Sequence, residues 1–596
     1  MTVDAVLVLQ RSDVVRIAAA PARFAGARLL FVDPGLLDDA AQRGLTRSLP
    51  YEFRRLDLGP DMQARAASEA IARATLVDLQ LSAERERLWG GEQVLTGWDV
   101  GLFFLALQRA AVARAIARAV SAGFKEQTIG LLRPSNPQQM YFDSFVSTDL
   151  VGQDPQRFSV VDRYHDARWQ RPDAYDQVLD ARAMGALLSR GVISLVSHVP
   201  TCFYDRAWLA AEVARAHAYT LDLPSPFWDV PLHRGAPLLV PRASLAAEAE
   251  VAEYGARVVR GLEPLIADLL PQQRAREEQM TAWAARARWQ ALNFLQLRTA
   301  FASLPTASRP GAGAPAPQAG APEFLVADQD TGLNGPLFSI ADRVGGAITV
   351  VPHSGHASML LPHGRRVQVV ERAGYGCAPR TLIGQSVPTR AVRFNQQARR
   401  RPAAPAPGAR LQRVCLLLNS FSTEGLSHVD AHALAEFYRP LAALCEAEGA
   451  QLVLRPKPGA PALAVLAGAL EVAPGELAGA VQQPLPALAE SCELCLAWGE
   501  PTTGIAPFLD AGSLVLQVMR ERWPVDYLVC MPLVRDGVVP TLGPAEALAA
   551  VRRYLADRSA LAADTARQSA AFDARAAGAH DHLFDRVLAP PQRAAA

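Results

Sequence analysis

Short apolar runs recur along the 596-residue chain, separated by longer segments in which Ala, Leu and Arg repeat with helical spacing. Parallel strands need a crossover, usually a helix, and are buried on both faces, so this alternation predicts an α/β protein with parallel sheets. In the first part of the chain the spacing predicts strands at Ala5–Leu9, Leu29–Val32, Thr128–Leu132, Phe158–Val161, Val192–Val196, Phe324–Ala327 and Ile348–Val351. In the last part it predicts Val414–Leu418, Gln451–Leu454, Leu494–Ala497 and Leu514–Val518. Several of these runs end on small or polar residues, among them Asp33-Pro34-Gly35, Arg133-Pro134-Ser135-Asn136, Ser197-His198 and Pro352-His353-Ser354. Ligands of open α/β sheets bind outside the carboxyl ends of the strands, so these ends are where a site is sought.

Two Pro/Ala/Gly stretches interrupt the pattern, Leu304–Pro322 and Arg399–Arg410. Neither can form a helix interior or a central strand. The second falls just before the strand that opens a new βα series and is taken as the domain boundary. The expected organisation is an N-terminal domain over 1–400, a C-terminal domain over 410–560 and terminal helices over 561–596 that cross back to the first domain. Residues 243–304 have an almost continuous helical pattern and are expected to form a helical insertion in the N-terminal domain. Its Trp283, Arg286, Arg288 and Trp289 fit either core packing with snorkelling arginines or a helix lying on a membrane surface.

Composition narrows the function classes. Half the residues are apolar, a fifth are charged and the net charge is +1, so no global field draws the chain to nucleic acid. Seven scattered cysteines do not make a disulfide framework and suit a reducing compartment. Cys492 and Cys495 form a lone C-x-x-C in a run that reads as a buried strand, which favours a structural role. Neither a signal h-region nor an apolar stretch of about eighteen residues is present, so a cytoplasmic location is expected, with peripheral contact at the inner membrane as the alternative.

The densest chemistry lies in the last third. The strand QLVLR runs into Pro456-Lys457-Pro458, and the strand LCLAW runs into Gly499-Glu500-Pro501-Thr502-Thr503-Gly504 followed by an apolar helix. Pro507 is tolerable there only in the first helical turn. Free backbone N–H groups at that turn, the Thr502 and Thr503 hydroxyls and the Lys457 charge are suited to a phosphate leaving group. Glu500 can accept hydrogen bonds from ribose hydroxyls. Ser420 and Ser422 follow the first strand of the same series, a place that touches the donor phosphate or sugar in the GT-B glycosyltransferases that this part of the chain resembles.

This stretch resembles the donor side of GT-B glycosyltransferases of bacterial surface polysaccharide synthesis, in particular those that use CMP-activated Kdo or sialic acid. Those families hold the CMP phosphate with a basic residue followed by Pro, usually His-Pro, and a downstream hydroxyl pair. Here Lys457-Pro458 stands for the first and Thr502-Thr503 for the second. The resemblance implies two Rossmann-like domains facing a cleft, no cofactor beyond a nucleotide-sugar co-substrate, CMP-linked in its closest form, and a glycan or glycolipid acceptor. Phe324 to His356 resembles a strand–helix–strand stretch of the same enzymes. By that likeness Asp330 or Asp328 faces the reacting sugar as base or nucleophile, and His353 contacts donor or acceptor, with Ser354 and His356 beside it. A carboxylate in that place either takes the acceptor proton or stabilises an oxocarbenium-like centre, and the sequence leaves both open.

Other candidates are weaker. Asn136 and His198 follow strands and can line the acceptor side, His198 fitting a core position equally well. Asp328-Gln329-Asp330 also reads as a metal-binding D-x-D, although a metal-independent enzyme is the preferred reading. Ser427 and Asp430 fit a helix cap better than His428 and His432 fit a metal site. A nucleotide-sugar epimerase or polyol-phosphate transferase would use the same scaffold, and a non-catalytic carbohydrate-binding or scaffold subunit would keep the fold without turnover.

Overall fold

The computed structural model describes residues 3–54, 56, 114–124, 128–134, 142–164, 192–196, 219–222, 236–237, 323–327, 347–351, 367–375, 388–393, 411–418, 431–456, 482–499, 502–520 and 532–582, with isolated positions between them. The Pro/Ala/Gly stretches and nearly all of the expected helical insertion lie outside these residues.

Among the described residues seventeen strands fall into three sheets, and every strand pair is parallel. The first sheet holds β1 (Ala5–Val8), β2 (Arg28–Phe31), β3 (Tyr51–Phe53), β4 (Ile129–Pro134) and β5 (Phe158–Tyr164) in the order β3-β2-β1-β4-β5. The second holds β6 (Val192–Val196), β7 (Tyr219–Asp222), β8 (Ala236–Pro237), β9 (Glu323–Ala327), β10 (Ala347–Val351), β11 (Val367–Arg372) and β12 (Thr389–Val392). Their order is β12-β11-β10-β9-β6-β7-β8. The third holds β13 (Arg413–Leu418), β14 (Gln451–Arg455), β15 (Leu494–Trp498), β16 (Leu514–Val518) and β17 (Thr541–Leu542) in the order β14-β13-β15-β16-β17. Two sheets therefore occupy the stretch that the sequence pattern treats as one N-terminal unit. All three are doubly wound: the chain fills one side of the founding strand and then crosses to the other.

The first sheet carries its own core, built from Val6, Val8, Val14, Ile17, Phe24, Leu29 and Phe31 among others. At its carboxyl edge, α1 (Arg11–Ala19) begins at Gln10. Asp13 Oδ2 accepts from the amides of Leu9 and Gln10 at 3.0 and 3.2 Å. The Tyr164 hydroxyl lies 2.8 Å from both Asp13 Oδ1 and Ser12 Oγ, and Gln10 Nε2 donates to it at 2.7 Å. Asp13 is fully buried, and that burial, against the hydrogen bonds that favour its ionised form, raises its carboxyl to about 7. A group held protonated in the fold stabilises it fully below the unfolded value near 3.8, and that contribution is lost as pH rises through about 7. We expect Asp13→Asn to flatten the fall in stability between those limits, by at most about 4 kcal/mol. Denaturant melts of the two proteins at pH 4.5 and 8 measure this, and parallel losses in both would contradict it.

The third sheet buries apolar residues on both faces, as its near-continuous hydrophobic strands require. One face packs on α2 (Ala431–Ala447) and the helix Pro544–Ala556 through Leu434, Phe437, Leu441, Val551 and Tyr554. On the other face Cys415 stands opposite Cys495 in register, with Cys492 hydrogen-bonded to Cys415. The Cys415 thiol is pushed well up, mainly by burial, and the Cys492 thiol chiefly by its bond to Cys415. Both stay protonated, consistent with packing rather than nucleophilic duty.

The second and third sheets share a core. Val370, Tyr375 and Val392 from the strand ends of the second sheet cluster with Cys415, Ile505, Phe508, Val515 and Phe572. Tyr375 and Phe572 meet edge to face, with ring centroids 5.0 Å apart. Gly374 has φ +86°, and a Cβ there would come 2.5 Å from the Phe572 ring. After the terminal helix Arg558–Ala576 the chain returns to the second sheet, where His580 bridges Val392 in parallel. Arg393 N donates to His580 O and His580 N to Ala391 O, each at 2.8 Å. Arg393 also pairs with Asp581 at 2.8 Å. The segment after that helix is thus held by backbone ladder bonds as well as by side chains.

Candidate functional site

In a doubly wound sheet the loops on either side of the founding strand leave in opposite directions, which opens a crevice at the switch point. In the third sheet the founding strand is β13, with β14 on one side and β15 on the other. Leu418 and Trp498 are register partners at the carboxyl ends of β13 and β15. The segment carrying Ser420 and Ser422 and the segment carrying Glu500, Thr502, Thr503 and Gly504 therefore start side by side at the switch. Lys457 and Pro458 follow Arg455, which pairs with Leu417 on the far side of β13. Ser420, Ser422, Lys457, Pro458 and Glu500 themselves lie outside the described residues.

The turn after β15 is fixed by groups the sequence pattern does not reveal. Gly499 has φ +83°, a left-handed conformation costly for any other residue. Its amide donates to Val518 O at 2.9 Å. The fully buried Gln517 side chain donates Nε2 to Ala497 O at 2.9 Å and to Gly499 O at 2.8 Å. Trp498 stacks on Phe437 with centroids 4.9 Å apart. The Thr502 hydroxyl accepts from the Gly504 amide at 3.2 Å. That amide is consequently engaged within the turn, and the hydroxyl proton of Thr502 remains as a donor. A short 3-10 turn, Thr503–Ile505, leads into α3 (Ala506–Ala511), with Pro507 in the first helical turn as its missing N–H demands. Gly504 lies against Leu417: a Cβ would stand 3.3 Å from Leu417 Cδ2.

Both ends of α3 are tied to the second sheet. The Tyr375 hydroxyl donates to Ala506 O at 2.8 Å and lies 3.1 Å from Asp510 Oδ1. Arg372 forms an ion pair with Asp510 and covers the Tyr375 ring, with Cζ 5.0 Å from the ring centroid. The helix that follows the Thr502–Gly504 turn is thereby braced from the neighbouring sheet.

The second sheet has its own switch point, between β6 and β9. Ala327 at the end of β9 pairs with Val196 on one side and Val351 on the other. His198 follows β6, Asp328 and Asp330 follow β9, and His353, Ser354 and His356 follow β10. Six residues scattered over the sequence thus begin from three adjacent strand ends, although their own positions lie outside the described residues. Asn136 follows β4, a strand of the first sheet, and itself lies outside the described residues.

No helix among the described residues is long and apolar enough to cross a membrane. Among the same residues no group of three or more His, Cys, Asp or Glu gathers as metal ligands would.

No protein-family model matches this sequence, and no curated protein does. Among solved structures the chain is similar to MurG of Acinetobacter baumannii, at 10% identity and a TM-score of 0.31, over 65% of this chain and 98% of that one. It is similar to the glycosyltransferase SnogD of Streptomyces nogalater at 15% identity and a TM-score of 0.28, over 64% and 94% of the two chains. A mutant O-GlcNAc transferase of Thermobaculum terrenum aligns at 14% identity and a TM-score of 0.30, over 92% of this chain and 84% of that one.

Proposed function

We propose that the chain is a glycosyltransferase of the two-domain GT-B type that binds a nucleotide-sugar donor on its third sheet and a glycan or glycolipid acceptor on its second. One observation carries the reading above the rest: the segments with Ser420, Ser422, Glu500, Thr502, Thr503 and Gly504 start from adjacent strand ends at the switch point of the third sheet. A nucleotide there would place its phosphate between Lys457 and the threonine hydroxyls, where negative charge grows as the glycosidic bond breaks. Asp328 and Asp330, after β9, are the carboxylates for the acceptor proton or the oxocarbenium-like centre, with His353 beside them. The core shared by the second and third sheets supports reading this pair as the two halves of the enzyme. The preferred donor is CMP-linked, with Kdo or a related 2-keto acid sugar transferred to a surface polysaccharide or lipopolysaccharide, and the place of action is the cytoplasm or the inner face of the membrane.

Thermal melting of the full chain with CMP, CDP, UDP and GDP tests the reading. A ligand at about one hundred times its Kd adds about 2.7 kcal/mol. Stabilisation by one nucleotide class is expected, with CMP or CDP foremost. No rise with any of the four would remove the donor site.

A further inference from the structure

Arg455 closes β14 and is a buried cation with no counter-charge among the described residues. It is 3% exposed, and its one hydrogen bond to the described residues runs from Nη1 to Pro456 O at a long 3.4 Å. Its Nε has no partner. No carboxylate pairs with it among the described residues. Burial lowers its pKa, and the only opposing influence is the Cys415 sulfur. A guanidinium left buried and unpaired costs several kcal/mol, and folding alone gives no reason to keep it. A buried polar group left unsatisfied calls for an explanation, and an ion that it binds is one.

Its position says what kind of ligand. Residues paired across a parallel ladder project to the same face of the sheet, and Arg455 pairs with Leu417. Leu417 is the side chain against which Gly504 packs, beneath the Thr502–Gly504 turn. Arg455 is therefore on the face that carries the turn, at the carboxyl end of the sheet, one strand from the switch point and two residues before Lys457. A fixed fork of N–H donors there suits the oxygens of a phosphate.

We propose that Arg455 is the anion anchor of the nucleotide site, its guanidinium taking phosphate oxygens of the bound nucleotide; this rests on the assignment of that site to the third sheet.

Calorimetric titration of the full chain and of Arg455→Met and Arg455→Lys, with CMP, CDP, UDP and GDP and with the nucleoside of each, separates the possibilities. In Arg455→Met the preferred nucleotide should weaken about 10- to 100-fold while its nucleoside changes less than about twofold. Arg455→Lys should fall between the two. Without ligand, Arg455→Met should melt at or above the parental temperature, because an unpaired buried charge has been removed. Unchanged nucleotide affinity in Arg455→Met would overturn the proposal. So would a large drop in ligand-free melting temperature, or failure to fold, in both variants, since either makes the arginine a structural group. If the parental chain binds none of the four nucleotides, the donor site itself is wrong and Arg455 falls with it.

Discussion

Phe572→Ala should cost about 3–5 kcal/mol of stability, the range for an aromatic side chain deleted from a packed core. Phe572 is buried among residues of both the second and the third sheets and meets Tyr375 edge to face. Its ring also lies where the chain at Gly374 leaves no room for a Cβ, so the surroundings are tightly matched to it. The loss should be borne by the second and third sheets together. The first sheet has its own core, to which Phe572 does not belong. In a denaturant titration followed by residue-resolved hydrogen exchange, the transition reporting Val369, Val392 and Val515 should move, and the one reporting Val6 and Leu29 should not. A cost below about 1 kcal/mol would mean that the two sheets do not depend on this contact.

Lys457→Ala should weaken binding of the preferred nucleotide about 10- to 100-fold, the loss of one charge-assisted phosphate contact. Unlike a change at Phe572, it should leave ligand-free stability within about 0.5 kcal/mol. The two variants thus have opposite signatures, one on the fold and one on the ligand. Nucleotide titration beside a thermal melt distinguishes them, and unchanged affinity in Lys457→Ala would take the lysine out of the donor site.

The strands were legible where apolar residues ran continuously. Val192–Val196 and Leu514–Val518 have the bounds the pattern gives, and Ala5–Val8, Arg413–Leu418 and Leu494–Trp498 differ by a residue at an end. The pattern misses Tyr51–Phe53, Tyr219–Asp222, Ala236–Pro237, Val367–Arg372, Thr389–Val392 and Thr541–Leu542. Most are short strands at or near sheet edges, and Val367–Arg372 and Thr389–Val392 carry charged or polar residues that break the apolar run. Sheet membership was not legible either. Periodicity marks a strand but not its neighbour, and β9 pairs with β6, far earlier in the chain, rather than with the strand before it in sequence.

The same division holds for the candidate site. Gly499, Thr502 and Pro507 announce a turn and a helix start through their own backbone chemistry. Gln517, Tyr375 and Arg455 acquire their roles only through tertiary partners or the lack of them. A glutamine inside the run LVLQV reads as a solvated interruption, yet Gln517 is fully buried and holds the Gly499 turn. Arg455 sits inside a segment whose basic residues stand out, but nothing in the sequence distinguishes a buried cation from a solvated one. Asp13 is a similar case, an acid whose burial against Tyr164 depends on a strand more than a hundred residues away.

The central claim is that a nucleotide occupies the switch point of the third sheet. Hydrogen–deuterium exchange of the full chain, with and without the nucleotide that stabilises it most, tests this directly. The account predicts slowed exchange in peptides covering 414–425 and 496–508, with peptides covering 5–13 and 129–136 unchanged. Protection confined to the first sheet under saturating nucleotide, or none in either segment of the third, would contradict it.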